Sequence, residues 1–157
     1  MVTLFKLTHD DFTTMNDTLW GENIQHTAPG GSLCSSDVLH AYRSAAEAVF
    51  FDPIHGDFGK SGVLWACNGD VCVDDGTKVG CTRLRTLKVI PKPEITTEQR
   101  VQIAIRCALL VYSEPTFVEW AERWLSGEDR SRAAAAAAAA WAAAAAAEAA
   151  EWTMWAA

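Results

Sequence analysis

Two pairs of residues in this sequence have the types and spacing for chemistry. His40 and Tyr42, in the run DVLHAY, stand two apart, so on a strand an imidazole and a phenol share one face and line one wall of a pocket. Arg83 and Arg85, in CTRLR, have the same spacing and would clamp a phosphate or carboxylate between two guanidinium groups. Trp65, on a neighbouring segment, adds an aromatic plane. The five together suit a nucleotide-like ligand, with rings to stack a base and guanidinium groups to hold phosphate. Each pair also has a plainer reading. His40 could be a strand-end histidine bonded to a loop carbonyl, and the arginines could form a solvated strand face. As a general base, His40 would need Tyr42, Ser44 or Glu47 within reach. Leu87 and Val89 have the parity of the arginines, so a bulge or bend near Thr86 must intervene if they are not to share a face.

Other chemistries lack their patterns. Cys67, Cys72 and Cys81, with His40 and His55, could be assembled into a metal site on paper, but there is no CxxC knuckle. A tight turn at Asn68-Gly69 would moreover pair Cys67 with Asp70 and leave Cys72 opposite Trp65. No metal and no cofactor are therefore expected. The five cysteines fit free thiols in a reducing compartment. No GxGxxG occurs, Gly56 to Ser61 is mis-spaced for a phosphate loop, and no GxSxG elbow supports a serine triad. Without a complete catalytic set, binding is a better expectation than catalysis.

The formal net charge of −7 argues against attraction to bulk nucleic acid or an anionic membrane. Only residues 61–95 hold more bases than acids, with Lys78, Arg83, Arg85, Lys88 and Lys92. MVTLFKLTHDDF lacks the apolar core of a secretory signal and no strongly apolar run is long enough to span a membrane, so a cytoplasmic protein is expected.

These residues need a scaffold, and the patterning supplies one. MVTLFKL reads as an opening strand. From Asp10 to Ser32 no period is clear, and this segment could be a lid or a binding loop. DVLHAY is a strand, followed by a short helix capped by Ser44 and ended by Asp52-Pro53. Residues 62–90 read as an antiparallel meander turning at Asn68-Gly69 and Asp75-Gly76, closed by Pro91 and Pro93. Thr96 and Gln99 form a capping box, Pro115 opens a second helix, and Gly127 stops it. The fold class is thus α+β: an antiparallel sheet with a short helix, backed by an αα-hairpin. Residues 1–128 make this domain and residues 129–157 an Ala/Trp-rich helical tail. Advancing ~100° per residue, Trp141, Trp152 and Trp155 fall on one stripe, suited to packing on its own domain or a second copy, or else to a partner.

LCSSDVLHAYRSAAEAVFF, VLWACNGDV and DDGTKVGCTRLR together resemble an uncharacterised family found in bacteriophage and bacterial genomes. Its members carry a leucine-cysteine pair, a Gly-Phe-His-Ala-type motif before a small helix, an antiparallel hairpin, and an aspartate-rich turn before a lysine-valine strand. Leu33-Cys34, Leu39-His40-Ala41, Asp74-Asp75 and Lys78-Val79 occupy those positions, with Leu39 for the usual phenylalanine and Val38 where glycine is common. The likeness covers roughly residues 1–90, and the alanine-tryptophan tail is similar to tails on phage-encoded relatives. More distantly, a strand histidine followed by a tyrosine and a helix is similar to the NAD-pocket segment of ADP-ribosyltransferases and RNA 2′-phosphotransferases. A late glutamate completes such sites; here the nearest, Glu94, lies between Pro93 and a helix. Three functions follow as expectations. The first is a small phage-type accessory protein in the host cytoplasm that sequesters a nucleotide-derived immune signal or blocks a host protein. The second is an ADP-ribosyltransferase-like enzyme using NAD, and the third a structural protein oligomerising through its tryptophan helix.

Overall fold

The structure, a computed structural model, describes residues 2–136 and 140. The fold is α+β, with antiparallel strands and helices in two compact units, Met1–Ile95 and Thr96–Ala157. The division falls earlier than a compositional boundary after residue 128, because the αα-hairpin builds a core from its own side chains. Trp141, Trp152 and Trp155 lie outside the described residues.

In the first unit the spine is a long hairpin of β6 (Val63–Asp74) and β7 (Val79–Ile90). Before it in the chain come β1 (Val2–Thr8), β2 (Thr13–Thr14), β3 (Thr18–Leu19), β4 (Gln25–Thr27), β5 (Leu39–Ala41) and helix α1 (Ala45–His55). β1 pairs with β6, while β4 and β5 pair with successive stretches of β7. Beyond β5, Phe5 and Tyr42 exchange two backbone hydrogen bonds of 2.9 and 2.8 Å. That bridge carries β5 back to β1, so β1, β6, β7 and β5 follow one another around a nearly closed ring. Its interior holds Leu4, Trp20, Ala41, Trp65, Cys67, Val79, Cys81 and Leu84. On the outside, α1 packs Ala48 against Leu7, Tyr42 and Leu64.

Three local expectations are corrected. Asn68-Gly69 makes no turn: β6 runs straight through it, and Gly69 faces Leu84 across the hairpin. A Cβ there would stand 2.7 Å from the Arg83 carbonyl oxygen and close to the Leu4 and Leu84 side chains, so the glycine serves interior packing. The one reversal is at Asp75–Lys78, where Asp75 Oδ1 accepts the N–H groups of Thr77 and Lys78 and Gly76 takes φ 86°. Second, Asp10–Ser32 is not a single irregular loop: Gln25–Thr27 joins the sheet as β4, β2 and β3 pair as a separate small sheet, and Trp20 is buried. Positive φ angles at Phe12, Asn16, Asp17 and Asn23 break the periodicity that would have revealed it. Third, α1 continues through Pro53 to His55, with Pro53 in the last turn and the helix closed by the Gly56 N–H on the Asp52 carbonyl. Its start is as expected at Ser44, whose cap forms a capping box with Glu47.

The second unit contains α2 (Thr97–Leu109) and α3 (Pro115–Ser126). Thr96 and Gln99 form the capping box, Pro115 opens α3, and Gly127 ends it with φ 84°. Ile105, Phe117, Ala121 and Trp124 are its core. Arg130 lies over the Trp124 ring at 4.8 Å and donates to Glu98 at 2.7 Å, and Ser131 then caps a further helical stretch from residue 132.

Candidate functional site

His40 pairs with Gly80 of β7, between Leu39 and Ala41, whose side chains reach the ring interior. Its own side chain therefore points the other way. There Nε2 accepts the backbone N–H of Cys34 at 3.1 Å. An acceptor nitrogen carries no proton, so the neutral ring holds its hydrogen on Nδ1. Burial, and then the charges of Lys78 and Lys6, push its pKa down to about 4. His40 is thus an anchor for a loop N–H rather than for a loop carbonyl. The carboxylate and hydroxyl proposed to assist it as a base, Glu47 and Ser44, are occupied with each other in the cap of α1.

Two lysines flank this histidine, and both are buried, at 8% exposure for Lys6 and 7% for Lys78. Lys6 shares the interior face of β1 with Leu4, opposite Trp65. Its Nζ donates to the His40 carbonyl at 3.0 Å and lies 4.6 Å from the centre of the Trp20 ring. It fills the ladder where β1 and β5 part beyond the Phe5–Tyr42 bridge. Desolvation pulls its pKa down to about 8, opposed by the thiols Cys67 and Cys81. Lys78, in the turn just before β7, directs its Nζ to Cys34 Sγ at 3.3 Å. Among the described residues neither ammonium has a carboxylate at salt-bridge distance. The nearby acids are otherwise engaged: Asp74 with Arg43 at 2.5 Å, and Asp75 with the N–H groups of Lys78 and Thr77, which hold its pKa down to about 2.

Tyr42 comes to the same corner from the end of β5. Its hydroxyl bonds His55 Nδ1 at 3.0 Å, and burial, with Asp52 and Asp75, raises its pKa to about 12. The rings of Tyr42, Phe51 and His55 lie nearly parallel, with interplanar angles of 5°, 10° and 9° among the three pairs. His55 is the exposed member of this group. Its pKa is lowered by burial and by Lys78, against a smaller opposing pull from Asp75.

The other three sequence-selected residues lie elsewhere. Trp65 is 2% exposed in the interior, its indole N–H donating to Thr8 Oγ1 at 3.1 Å. Arg83 and Arg85 do share the outer face of β7, since Leu84 and Thr86 point inward. The bulge needed to separate them from Leu87 and Val89 is present, the register shifting between Ala66–Lys88 and Cys67–Thr86. Arg83 is committed to Asp70 through two bonds of 2.9 Å, and Arg85 Nη2 reaches Asn23 Oδ1 at 3.3 Å. The structure therefore bonds His40 to the Cys34 loop, sets Tyr42 against Phe51 and His55, places Arg83 and Arg85 on one face of β7, and makes Trp65 part of the core.

Sequence reasoning missed Cys34 and Lys6 as hydrogen-bond partners of His40, His55 as the partner of Tyr42, and Lys78 as the partner of Cys34. One signal was available: Lys6 has the parity of Leu4 and so sits at a core position of a strand. Among the described residues there is no cluster of three or more metal-ligating side chains, and no helix is long and apolar enough to cross a membrane. Compared with protein-family models, curated proteins and solved structures, the chain matches none.

Proposed function

We propose that this protein acts by binding, and that its ligand is a small nucleotide-derived molecule whose phosphate is received by Lys78 beside His40 and the Cys34 loop. The observation that carries this reading is a pair of buried ammonium groups near His40, Lys6 at its backbone carbonyl and Lys78 at the Cys34 sulfur, without carboxylate partners among the described residues, in a chain of net charge −7. A desolvated cation is costly until it is paired. An arriving phosphate supplies the counter-charge and accepts charge-assisted hydrogen bonds. A base has a place as well, on the exposed His55 ring, which lies parallel to the rings of Phe51 and Tyr42 in a stack. The resemblance to phage-encoded proteins gives this activity a purpose, sequestration of a host immune signal. No observation favours the NAD-using enzyme: Glu94 is exposed and lies outside any helix or strand.

The test is a thermal-shift screen against NAD, ADP-ribose, cyclic ADP-ribose isomers and cyclic dinucleotides, using the unaltered protein, Lys78→Met and Arg83→Ala. A ligand at ~100 times its Kd stabilises by about 2.7 kcal/mol. The expected result is a shift lost in Lys78→Met and kept in Arg83→Ala. The opposite pattern would move the site to the arginine row, and no shift with any compound would overturn the reading.

A further inference from the structure

We propose that Cys34 is a reactive thiol, the site at which this protein is oxidised by hydrogen peroxide or a small organic peroxide. Four observations converge on it. Cys34 is exposed, whereas Cys67 and Cys81 are buried in the ring interior. Its backbone sits at φ 62°, a left-handed conformation that costs a residue with a Cβ and persists only where its surroundings enforce it. The enforcing contact is the His40 imidazole, whose Nε2 holds the Cys34 N–H at 3.1 Å. Finally, Lys78 reaches its sulfur from a buried position, Nζ to Sγ 3.3 Å, and this is its ammonium's one hydrogen bond among the described residues. The lysine is a nine-tenths buried cation aimed at an accessible sulfur and lacking a counter-charge.

That arrangement suits two-electron oxidation. The Cys34 sulfur attacks one peroxide oxygen, forming an S–O bond as the O–O bond breaks. The leaving hydroxide (or alkoxide) takes up the thiol proton as water (or alcohol), the sulfur becomes a sulfenic acid, and the peroxide is reduced by the same two electrons. The Lys78 ammonium can hydrogen-bond the departing oxygen, where negative charge builds, and His40 acts as a positioning residue by fixing the loop. Neither of the other exposed thiols has this setting. Cys72 Sγ donates to the Gly80 carbonyl at 3.4 Å, and Cys107 lies near the end of α2. They are internal controls within one molecule.

The experiment treats the full-length protein with limiting hydrogen peroxide, traps sulfenic acid with a cyclic 1,3-diketone, and follows each cysteine peptide by mass spectrometry. Cys34 is expected to be labelled about tenfold faster than Cys72 and Cys107. Lys78→Met should slow labelling at Cys34 by a similar factor while leaving Cys72 and Cys107 unchanged, and Lys78→Arg should restore much of it. Equal rates at the three exposed thiols in the unaltered protein would overturn the proposal without recourse to any variant. So would a Lys78→Met protein, folded by circular dichroism, in which Cys34 reacts at the original rate. No nucleotide is present, so the result stands apart from the ligand screen.

Discussion

Replacing Lys6 by methionine tests the physical account of the corner most directly. The side chain keeps its length and its place between Trp20 and Trp65 but loses the ammonium. Burial lowers the Lys6 pKa from 10.5 to about 8, a difference equivalent to about 3 kcal/mol against the charged form. The sign follows from proton counting: between pH 8 and 10.5 the unfolded chain binds more protons at Lys6 than the folded one does, so this residue makes stability rise with pH across that window. Methionine removes the charge cost at pH 7 but leaves the His40 carbonyl without its donor, a loss of about 2 kcal/mol. The variant should therefore be about 1 kcal/mol more stable at pH 7 and about 2 kcal/mol less stable near pH 10.5. Cys67 and Cys81, pushed up to about 12 and 11 by burial, remain thiols over this range. Urea titrations of both proteins at several pH values provide the assay, and subtracting one curve from the other cancels the surface groups that titrate alike. A stability difference that stays flat from pH 7 to 10.5 would refute a buried, charged Lys6.

Two further substitutions probe the neighbouring architecture. His40→Gln keeps an acceptor for the Cys34 N–H but cannot be protonated; because the folded ring resists a proton down to about pH 4 that the unfolded ring accepts near its ordinary 6.5, the unaltered protein should lose stability relative to this variant as pH falls from 6.5 to 4, and parallel acid-denaturation curves would count against it. Gly69→Ala should destabilise by about 2 kcal/mol through the contact with the Arg83 carbonyl oxygen, and a loss below about 0.5 kcal/mol in urea midpoints would show that β6 does not run through Asn68-Gly69 as described.

Elements whose signals are local were legible. The Ser44 cap, the capping box at Thr96, the proline at the start of α3, and the glycine at its end each rest on a few adjacent residues and occur where the sequence puts them. Parity reasoning reached further, since the conflict between Arg83, Arg85 and Leu87 required a bulge near Thr86 and one is found there. Dipeptide signals failed where tertiary packing outweighed them. Asn-Gly is a strong hairpin pair only if the chain gains by reversing, and here the Gly69 position is worth more as room for Leu4 and Leu84. The candidate site was half legible for a related reason. His40 and Tyr42 follow from a two-residue spacing, but Cys34 and Lys78 are separated by 44 positions, and only the pairing of β5 with β7 brings them together.

Lys6 is where the levels of description disagree, and the disagreement carries meaning. Every neighbouring rule asks for an apolar residue at its position, between Leu4 and Thr8 on the inward face of a strand and opposite Trp65. Lysine there costs stability at neutral pH, so its charge does not help to hold the fold. Lys78 repeats the pattern on the far side of His40, again buried and again without a carboxylate at salt-bridge distance among the described residues. On the binding function proposed above, these two ammonium groups near His40 are where a ligand's phosphate would find a counter-charge in an acidic protein. On this view Arg83, already neutralised by Asp70, is the weaker anion site despite the stronger sequence signal, because a charge with a partner has little left to offer a ligand.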